Sequence, residues 1–514
     1  MCSIAGIVGG TGALKMLAVQ VHRAPDESGV YKDKKNNLEL GMGRLKIIDL
    51  KSPGLSPYQE DGLVLCYNGD IYNYIELKKE LKTKGWKFHT TSDTEVLMKS
   101  WREWGVKMFD KLNGMFAFAI FDPKTKKLIL GRDIAGEKPL YYYHRGNKFV
   151  FSSEAKALPE VLNLQKRQDE FFEAFQHCFV TTLWKDVLEL PPAHYLEYDV
   201  AKNTKKIVEY WKFTPRKINL KTAQDELESL LEDSVKLRFR SDVPVGIYYS
   251  GGIDSSLIDT FHTFDYKFYF DNTKSKMEKE FFSKIPTVLH HLDFPVGSFG
   301  FFGMWKLAEE ASKKVRVIIS GEGADEIFGG YVRYVPIARE YELRKKFPSY
   351  NYLFGKYFQD DYLTAYAKMT ARNGNVDFVK EKLRPYFEMF PDPVNAMGFA
   401  DFKLIFPSLM QMGDRMAGAF GIENRCPFLD RRLIEFGFSL PPEYKIDTLE
   451  PKVLLRRIAE KRGLVEPLKM EKRGMSVLYN KWKGIPGWDR SHYFEFLKST
   501  WQKNHHHKKT RKSS

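Results

Sequence analysis

The sequence predicts an α/β protein of two domains, and three observations carry that prediction. The residues before about 200 fall into short segments rich in Val, Ile, Phe and Tyr, separated by turn residues, as expected for a sheet-rich domain. From Thr222 the pattern changes to apolar strand, glycine turn and helix, the alternation that builds a parallel sheet with ligand sites at the strand carboxyl ends. After Gly330 the chain reads as mostly helical and rich in aromatics.

Taken in order, "SIAGIVGG" reads as a buried strand ending in a glycine turn. "LVLCYNGDIYNY" is a second strand region, followed by helical stretches at Ile75–Lys84 and Thr94–Trp104. "MFAFAIFD" and "KLILGRD" form a hairpin turning at Pro123–Lys126, and "PPAHYLEYD" is the last strand of the first domain, residues 1–200. The polar stretch 201–221 reads as a linker. An amphipathic helix, Thr222 to Phe239, then opens a second domain, residues 222–490. Its strands are "VPVGIYY", "KFYFD" (Lys267–Asp271) and "VRVIIS". Residues 491–514 read as a disordered basic tail, and no internal repeat is evident.

Composition bounds the function. A hydrophobic share of 43% and a charged share of 29% over 514 residues suit ordinary globular domains. The four cysteines, Cys2, Cys66, Cys178 and Cys426, are far apart and none forms a CxxC, so a disulfide framework is not expected and a reducing cytoplasm is. Ser3 to Val21 is largely apolar, but Lys15 and three early glycines interrupt it and no basic segment precedes it, unlike a secretory leader. No apolar run is long enough to span a membrane. The net charge of +15 is partly local, since Lys503, Lys508, Lys509, Arg511 and Lys512 lie in the tail. No nucleic-acid-binding module accompanies it, so small-molecule substrates rather than nucleic acid are expected.

Two loops carry chemistry. "YYSGGIDSS" brings Tyr249, Ser250, Gly251, Gly252, Asp254, Ser255 and Ser256 to a turn between a buried strand and a helix. The glycines let backbone approach a phosphate, while the helix amino terminus and the hydroxyls supply donors. No Lys–Ser/Thr pair follows, so this is not a Walker loop. "SGEGADEIFGGY" places Ser320, Gly321, Glu322, Asp325 and Glu326 at a second strand end. Carboxylates beside a phosphate loop suit Mg2+, with Asp254 and Asp325 the natural pair.

With "GIENRCPFLD" and "KVLLR", these loops resemble those of glutamine-hydrolysing asparagine synthetases, a resemblance that covers most of residues 1–480. It implies an amino-terminal-nucleophile αββα glutaminase domain followed by an ATP-pyrophosphatase-like synthetase domain. Ser320 and Gly321 would line the ATP site, Glu322 would support formation of a β-aspartyl adenylate, and Lys452 would act near it. Asp414, Arg415, Glu423 and Arg425 would surround the acyl-acceptor pocket. In the first domain, loss of Met1 would leave Cys2 with thiol and α-amine on one carbon. An amine with a pKa of about 7.7–8.0 can then serve as the thiol's base. By the same resemblance Asn68 and Gly69, in "NGDIYN", form an oxyanion hole. Arg44 binds the glutamine α-carboxylate, Asp93 holds its α-ammonium, Asp70 belongs to the glutamine-binding set, and the backbone of Ile47 and Ile48 touches the substrate. Substrates would be L-glutamine, L-aspartate and ATP, and assembly as a homodimer is left open.

Several positions depart from the family pattern. Asp70 replaces a glutamate, Ser56 a glutamine, and Ala24 a glycine, which matters if that position needs φ > 0. Ser250 and Ser320 are only 70 positions apart, a short segment for the family. Two other readings fit the same residues: amidation of a different carboxylate, or a binding protein descended from a synthetase.

Overall fold

The structure is a computed structural model that describes residues 1–167, 182–269, 275–293, 300–347, 361–371 and 375–469, with 496, 499 and 500. The expected basic tail therefore lies almost wholly outside the described residues.

The first domain contains strands β1 (Ser3–Val8), β2 (Glu27–Asp33), β3 (Leu38–Arg44), β4 (Tyr58–Glu60), β5 (Leu63–Ile71) and β6 (Gly114–Asp122). They are followed by β7 (Lys127–Arg132), β8 (Tyr141–Arg145), β9 (Lys148–Ser152), β10 (Val187–Glu189), β11 (His194–Asp199) and β12 (Thr204–Glu209). They form two antiparallel six-stranded sheets, ordered β10-β8-β9-β1-β3-β2 and β12-β11-β7-β6-β5-β4. Ile4, Leu40, Met42, Tyr67, Phe118, Leu130 and Phe149 pack between the sheets. Leu77 and Leu81 of helix Tyr74–Thr83, with Val96 and Leu97 of helix Asp93–Trp104, extend that core over the second sheet. Met16 and Leu17 of helix Ala13–Val19 cover the first sheet through Ala5 and Ile7. The result is the αββα sandwich. It explains why β1 and β6 read as unbroken apolar runs: both of their faces are buried.

The linker expected at 201–221 is corrected in part. Thr204–Glu209 is a strand, paired antiparallel with β11 from His194↔Glu209 to Asp199↔Thr204. It is a sheet edge, so most of its side chains face solvent and its composition reads as polar. Lys205 and Lys206 suit such an edge, because charge discourages pairing with other chains.

The second domain holds a four-stranded sheet of β13 (Val245–Tyr248), β14 (Tyr266–Phe268), β15 (Val317–Ile319) and β16 (Glu423–Arg425). All of its pairings are parallel, in the order β14-β13-β15-β16. The strand expected at Lys267–Asp271 is β14, at the edge; residues 270–274 lie outside the described residues. Helices Ala223–Arg238 and Ile253–Phe261 pack with Phe399, Phe402, Phe428 and Leu454 around Ile247 and Ile319. Beyond Ala324 the described chain is mainly helical.

The two domains meet across buried charge. Arg23, in the turn after the first helix, donates from Nη1 to Asp414 Oδ2 (2.7 Å) and from Nη2 to Asp414 Oδ1 (3.0 Å). Its Nη1 also reaches Glu154 Oε1 at 3.2 Å. Arg415 lies 3.6 Å from the same Glu154 oxygen and donates to the Ser153 carbonyl. Further along, Asn113 donates to Asp430 Oδ2 at 2.8 Å. Met1 is itself buried in this seam, against Tyr248, Leu307, Ala417 and Ile422.

Arg23→Met leaves the buried Asp414 carboxylate without its bidentate partner, and removing one member of a buried pair costs about 3–5 kcal/mol. A marked fall in the thermal unfolding midpoint is expected, and an unchanged midpoint would contradict this account of the seam. Asp430 supplies a pH test. Burial alone would raise its carboxyl, but Arg432, Arg238 and Asn113 outweigh burial and hold it at about 2, below the ordinary 3.8. A depressed carboxylate stabilises the fold above its unfolded value, and that contribution is lost as pH falls through the folded one. The unfolding midpoints of wild type and Asp430→Asn should therefore differ at neutral pH and converge between about pH 4 and pH 2.

Candidate active site

Cys2 stands immediately before β1, and the register Ser3↔Gly43 sets it across from Arg44 at the end of β3. Its Sγ lies 3.9 Å from the Leu45 carbonyl, and burial pushes the thiol up. Burial also pushes the Met1 amine down to about 6, against the nearby Glu423 carboxylate. Arg44 is held by its own loop: Nη2 donates to the carbonyls of Ile48 (2.9 Å) and Asp49 (2.6 Å). Its Nη1 makes no hydrogen bond and lies 3.7 Å from Glu27. The Ile47 carbonyl accepts from Asp242 N, and both isoleucine side chains pack toward Val243, Val245 and Val317 of the second domain.

From the other sheet, β5 contributes Asn68 and Gly69. Asn68 is fully buried, and neither its Oδ1 nor its Nδ2 has a partner. Gly69 has φ +149°, and a Cβ there would lie 2.0 Å from the Met115 carbonyl oxygen on β6. Only glycine fits this close approach, which leaves its backbone beside the unsatisfied amide of Asn68. Asp93 opens its helix and accepts from Tyr67 Oη (2.8 Å) and Ile71 N (3.0 Å). Ala24, where a positive φ would have been costly, has φ −138°, so alanine is accommodated there.

Asp70 points elsewhere. Its Oδ2 accepts from Arg425 Nη2 at 2.9 Å, across the domain seam. Arg425 also donates to Glu423 (3.0 Å) and to the carbonyls of Arg238 (2.8 Å) and Arg240 (2.9 Å). Burial and the adjoining Glu423 raise the Asp70 carboxyl, partly offset by Arg425. All four residues expected around an acceptor pocket, Asp414, Arg415, Glu423 and Arg425, thus lie buried in the seam and are engaged by protein side chains.

The synthetase loops come together at the ends of β13 and β15. Gly251 has φ +78°, and the serine hydroxyls knit the loop: Ser250 Oγ to Ser255 Oγ (3.1 Å), Ser256 Oγ to the Gly251 carbonyl (3.3 Å) and Tyr249 Oη to Ser256 Oγ (3.0 Å). The second loop abuts the first, since a Cβ on Gly321 would lie 2.9 Å from Asp254 Cβ. Asp254 and Asp325 converge on the Lys452 ammonium, at 2.5 and 2.6 Å. Burial would lower this lysine, but the two carboxylates prevail and lift it above its usual range. Gly330 leaves the needed room, as a Cβ there would lie 2.0 Å from Asp325 Oδ1 and 2.2 Å from Lys452 Cε. Two carboxylates sharing one cationic centre are a donor set that Mg2+ also accepts. Among the described residues no group of three or more His, Cys, Asp or Glu could hold a metal, so protein alone would not complete its shell.

Glu322 lies in this second loop, with Oε2 receiving Asn424 Nδ2 (2.8 Å), Ser320 Oγ (3.1 Å) and Cys426 Sγ (3.4 Å). Asn424 and Cys426 were not singled out from sequence, although the two-residue spacing of a strand would have put them on one face. No described helix is long and apolar enough to cross a membrane.

Comparison with known proteins gives the same division. A family model described as a glutamine amidotransferase domain matches residues 1–211, and one described as asparagine synthase matches 226–263 and 266–509. Asparagine synthetase [glutamine-hydrolyzing] 1 of Bacillus subtilis is 31% identical over 90% of this chain and 83% of its own. A putative asparagine synthetase 2 of Methanocaldococcus jannaschii is 33% identical over 65% of this chain and 76% of its own. A solved glutamine phosphoribosylpyrophosphate amidotransferase of B. subtilis aligns over 50% of this chain and 62% of its own, at 20% identity and a TM-score of 0.31. With both family models matched in order, the chain belongs to the glutamine-hydrolysing asparagine synthetase family.

Proposed function

We propose that the chain makes L-asparagine from L-aspartate, ATP and glutamine, using Cys2 for glutamine hydrolysis and the β13–β15 loops for activation of aspartate. Asn68 is the observation that carries the first half. A buried amide with neither end satisfied is costly unless a ligand completes it. With the Gly69 backbone beside it, this amide supplies donors for the oxyanion that forms when a thiolate attacks an amide carbonyl. Arg44 offers its uncommitted Nη1 to the glutamine α-carboxylate, and Asp93 receives the ammonium. Cys2 serves once residue 1 is cleaved, when its own amine takes the thiol proton and later returns it to the departing ammonia.

In the second half, the Ser250–Ser256 loop holds the ATP phosphates, and Asp254 and Asp325 would hold Mg2+, which would supply charge neutralisation there. The aspartate β-carboxylate attacks the α-phosphorus, pyrophosphate leaves, and ammonia then displaces AMP from the acyl adenylate. Glu322 and Lys452 flank that centre. We assign Asp70, Asp414, Arg415, Glu423 and Arg425 to docking of the domains rather than to substrate, because Asp70–Arg425, Arg23–Asp414 and Glu154–Arg415 pair across the seam and Glu423 pairs with Arg425 beside it. Asp70 then leaves Asp93 as the acid for the glutamine ammonium.

Separate variants test the two halves. Cys2→Ala should abolish glutamine-dependent asparagine formation while synthesis from ammonium salts persists. Loss of a nucleophile costs on the order of 10⁶ in kcat in one well-studied hydrolase, so the contrast is large. Glu322→Ala should keep glutamine hydrolysis and lose product from either nitrogen source. Wild-type protein that hydrolyses glutamine yet amidates only another carboxylate would replace aspartate as the acceptor.

Two product measurements complete the test. Turnover should release AMP and pyrophosphate; ADP and phosphate as direct products would contradict adenylate chemistry. Mass spectrometry of active enzyme should show Cys2 first, and full glutaminase activity with Met1 retained would contradict the amine-base mechanism.

A further inference from the structure

Strand β16 has two working faces. Glu423 and Arg425 turn toward the first domain and Asp70, whereas Asn424 and Cys426, on the alternate side, turn toward Glu322. All three hydrogen bonds to the Glu322 carboxylate, from Asn424, Cys426 and Ser320, end on the single oxygen Oε2. Among the described residues, none donates to Oε1. A carboxylate with one oxygen clamped has its plane and its rotamer fixed, and only the other oxygen remains to act on a bound molecule.

We propose that Asn424 and Cys426 are positioning residues that anchor Glu322 through Oε2 and present Oε1 as the working oxygen of the synthetase site. Asn424 supplies the strongest of the three contacts, at 2.8 Å. Cys426 is fully buried, its S–H donates to Glu322 Oε2 at 3.4 Å, and its sulfur also lies 3.4 Å from Ser320 Oγ. A thiol inside a parallel sheet is ordinarily a small apolar filler. Here it faces a carboxylate, and burial together with the Glu322 charge keeps it protonated and able to donate. Burial raises the Glu322 carboxyl while these three donors oppose the rise, so the clamp both aims the group and favours its ionised form. Ser320 belongs to the same loop as Glu322 and moves with it; Asn424 and Cys426 tie that loop to a neighbouring strand.

The proposal rests on the reading that Glu322 works in the synthetase half, and the test separates the two. Asn424→Leu, Cys426→Val, Cys426→Ser and Glu322→Ala are compared by AMP formation with ammonium as the nitrogen source, and glutamine hydrolysis reports folding of each. Asn424→Leu should lower kcat roughly 10- to 100-fold, the usual worth of a hydrogen bond to a charged group, with KM for ATP within about twofold. Cys426→Val keeps shape and apolarity but removes the donor, whereas Cys426→Ser keeps a donor. Positioning therefore requires Ser to retain more kcat than Val. If Cys426 merely fills space, Val equals wild type and Ser is the poorer variant, which overturns its role. Should Asn424→Leu lose glutamine hydrolysis as well, the more conservative pair at 426 decides the question. Wild-type kcat in Asn424→Leu and Cys426→Val, with none in Glu322→Ala, sinks the clamp and leaves the proposed function standing. Full synthesis by Glu322→Ala sinks the proposed role of Glu322 itself.

Discussion

Arg23 grips Asp414 with both terminal nitrogens while also touching Glu154, and none of the three side chains is more than 2% exposed. Much else depends on this junction. Glu154 receives Arg415 and Lys156, and Lys138 lies 4.0 Å from Asp414 Oδ1. Each charge in this network would be expensive alone in an apolar interior, so the domains can approach only in the arrangement that pairs them all. Such a seam adds less to net stability than an apolar interface of equal size would. It specifies orientation instead. That orientation places the end of β16 against the β5 strand that carries Asn68 and Gly69.

The thinness of the partition follows. Between Asp70 on β5 and the loop that carries Glu322 stand the three residues of β16, whose side chains alternate in allegiance. A slip of one residue would exchange the faces, sending an arginine toward Glu322 and an asparagine toward Asp70. Parallel pairing with β15 and the hydrogen bond from Glu423 N to the Arg316 carbonyl hold the register. One short strand is thus both the edge of its sheet and a contact between the two domains.

The fold was legible wherever pattern and burial agree. β1, β6 and β13 read as apolar runs because they are covered on both faces, and the helical stretch expected at Thr94–Trp104 is the helix Asp93–Trp104, capped by Ser92, whose side chain accepts from Thr94 N at 3.1 Å. β12 did not, because an edge strand shares its polar composition with a linker. At the sites, Asn68, Gly69, Asp254, Asp325 and Lys452 were legible as candidates from their motifs, and the fold sets Asn68 next to Gly69 and brings Asp254 and Asp325 onto Lys452. The partners that the charged residues of "GIENRCPFLD" take in the fold were not. An arginine that binds a substrate and one that pairs a buried carboxylate look alike in sequence, and only the partner across the seam distinguishes them. The two-residue spacing of Asn424 and Cys426 puts them on one face of a strand, but that the face meets Glu322 shows only in the fold.

Burial of the first residue bears on how the molecule matures. Met1 is fully enclosed, with the Arg23 guanidinium on its sulfur and residues from β13 and the helix Phe301–Ala311 around it. An exopeptidase needs an extended, reachable terminus, and the closed seam offers none. If Cys2 is to become the first residue, trimming must occur while the second half of the chain is still being made or has yet to dock. A copy whose halves closed too early would be folded, stable and permanently unable to use glutamine. Biogenesis would then set the fraction of active enzyme as a race between a peptidase and domain closure, decided once in each molecule's lifetime.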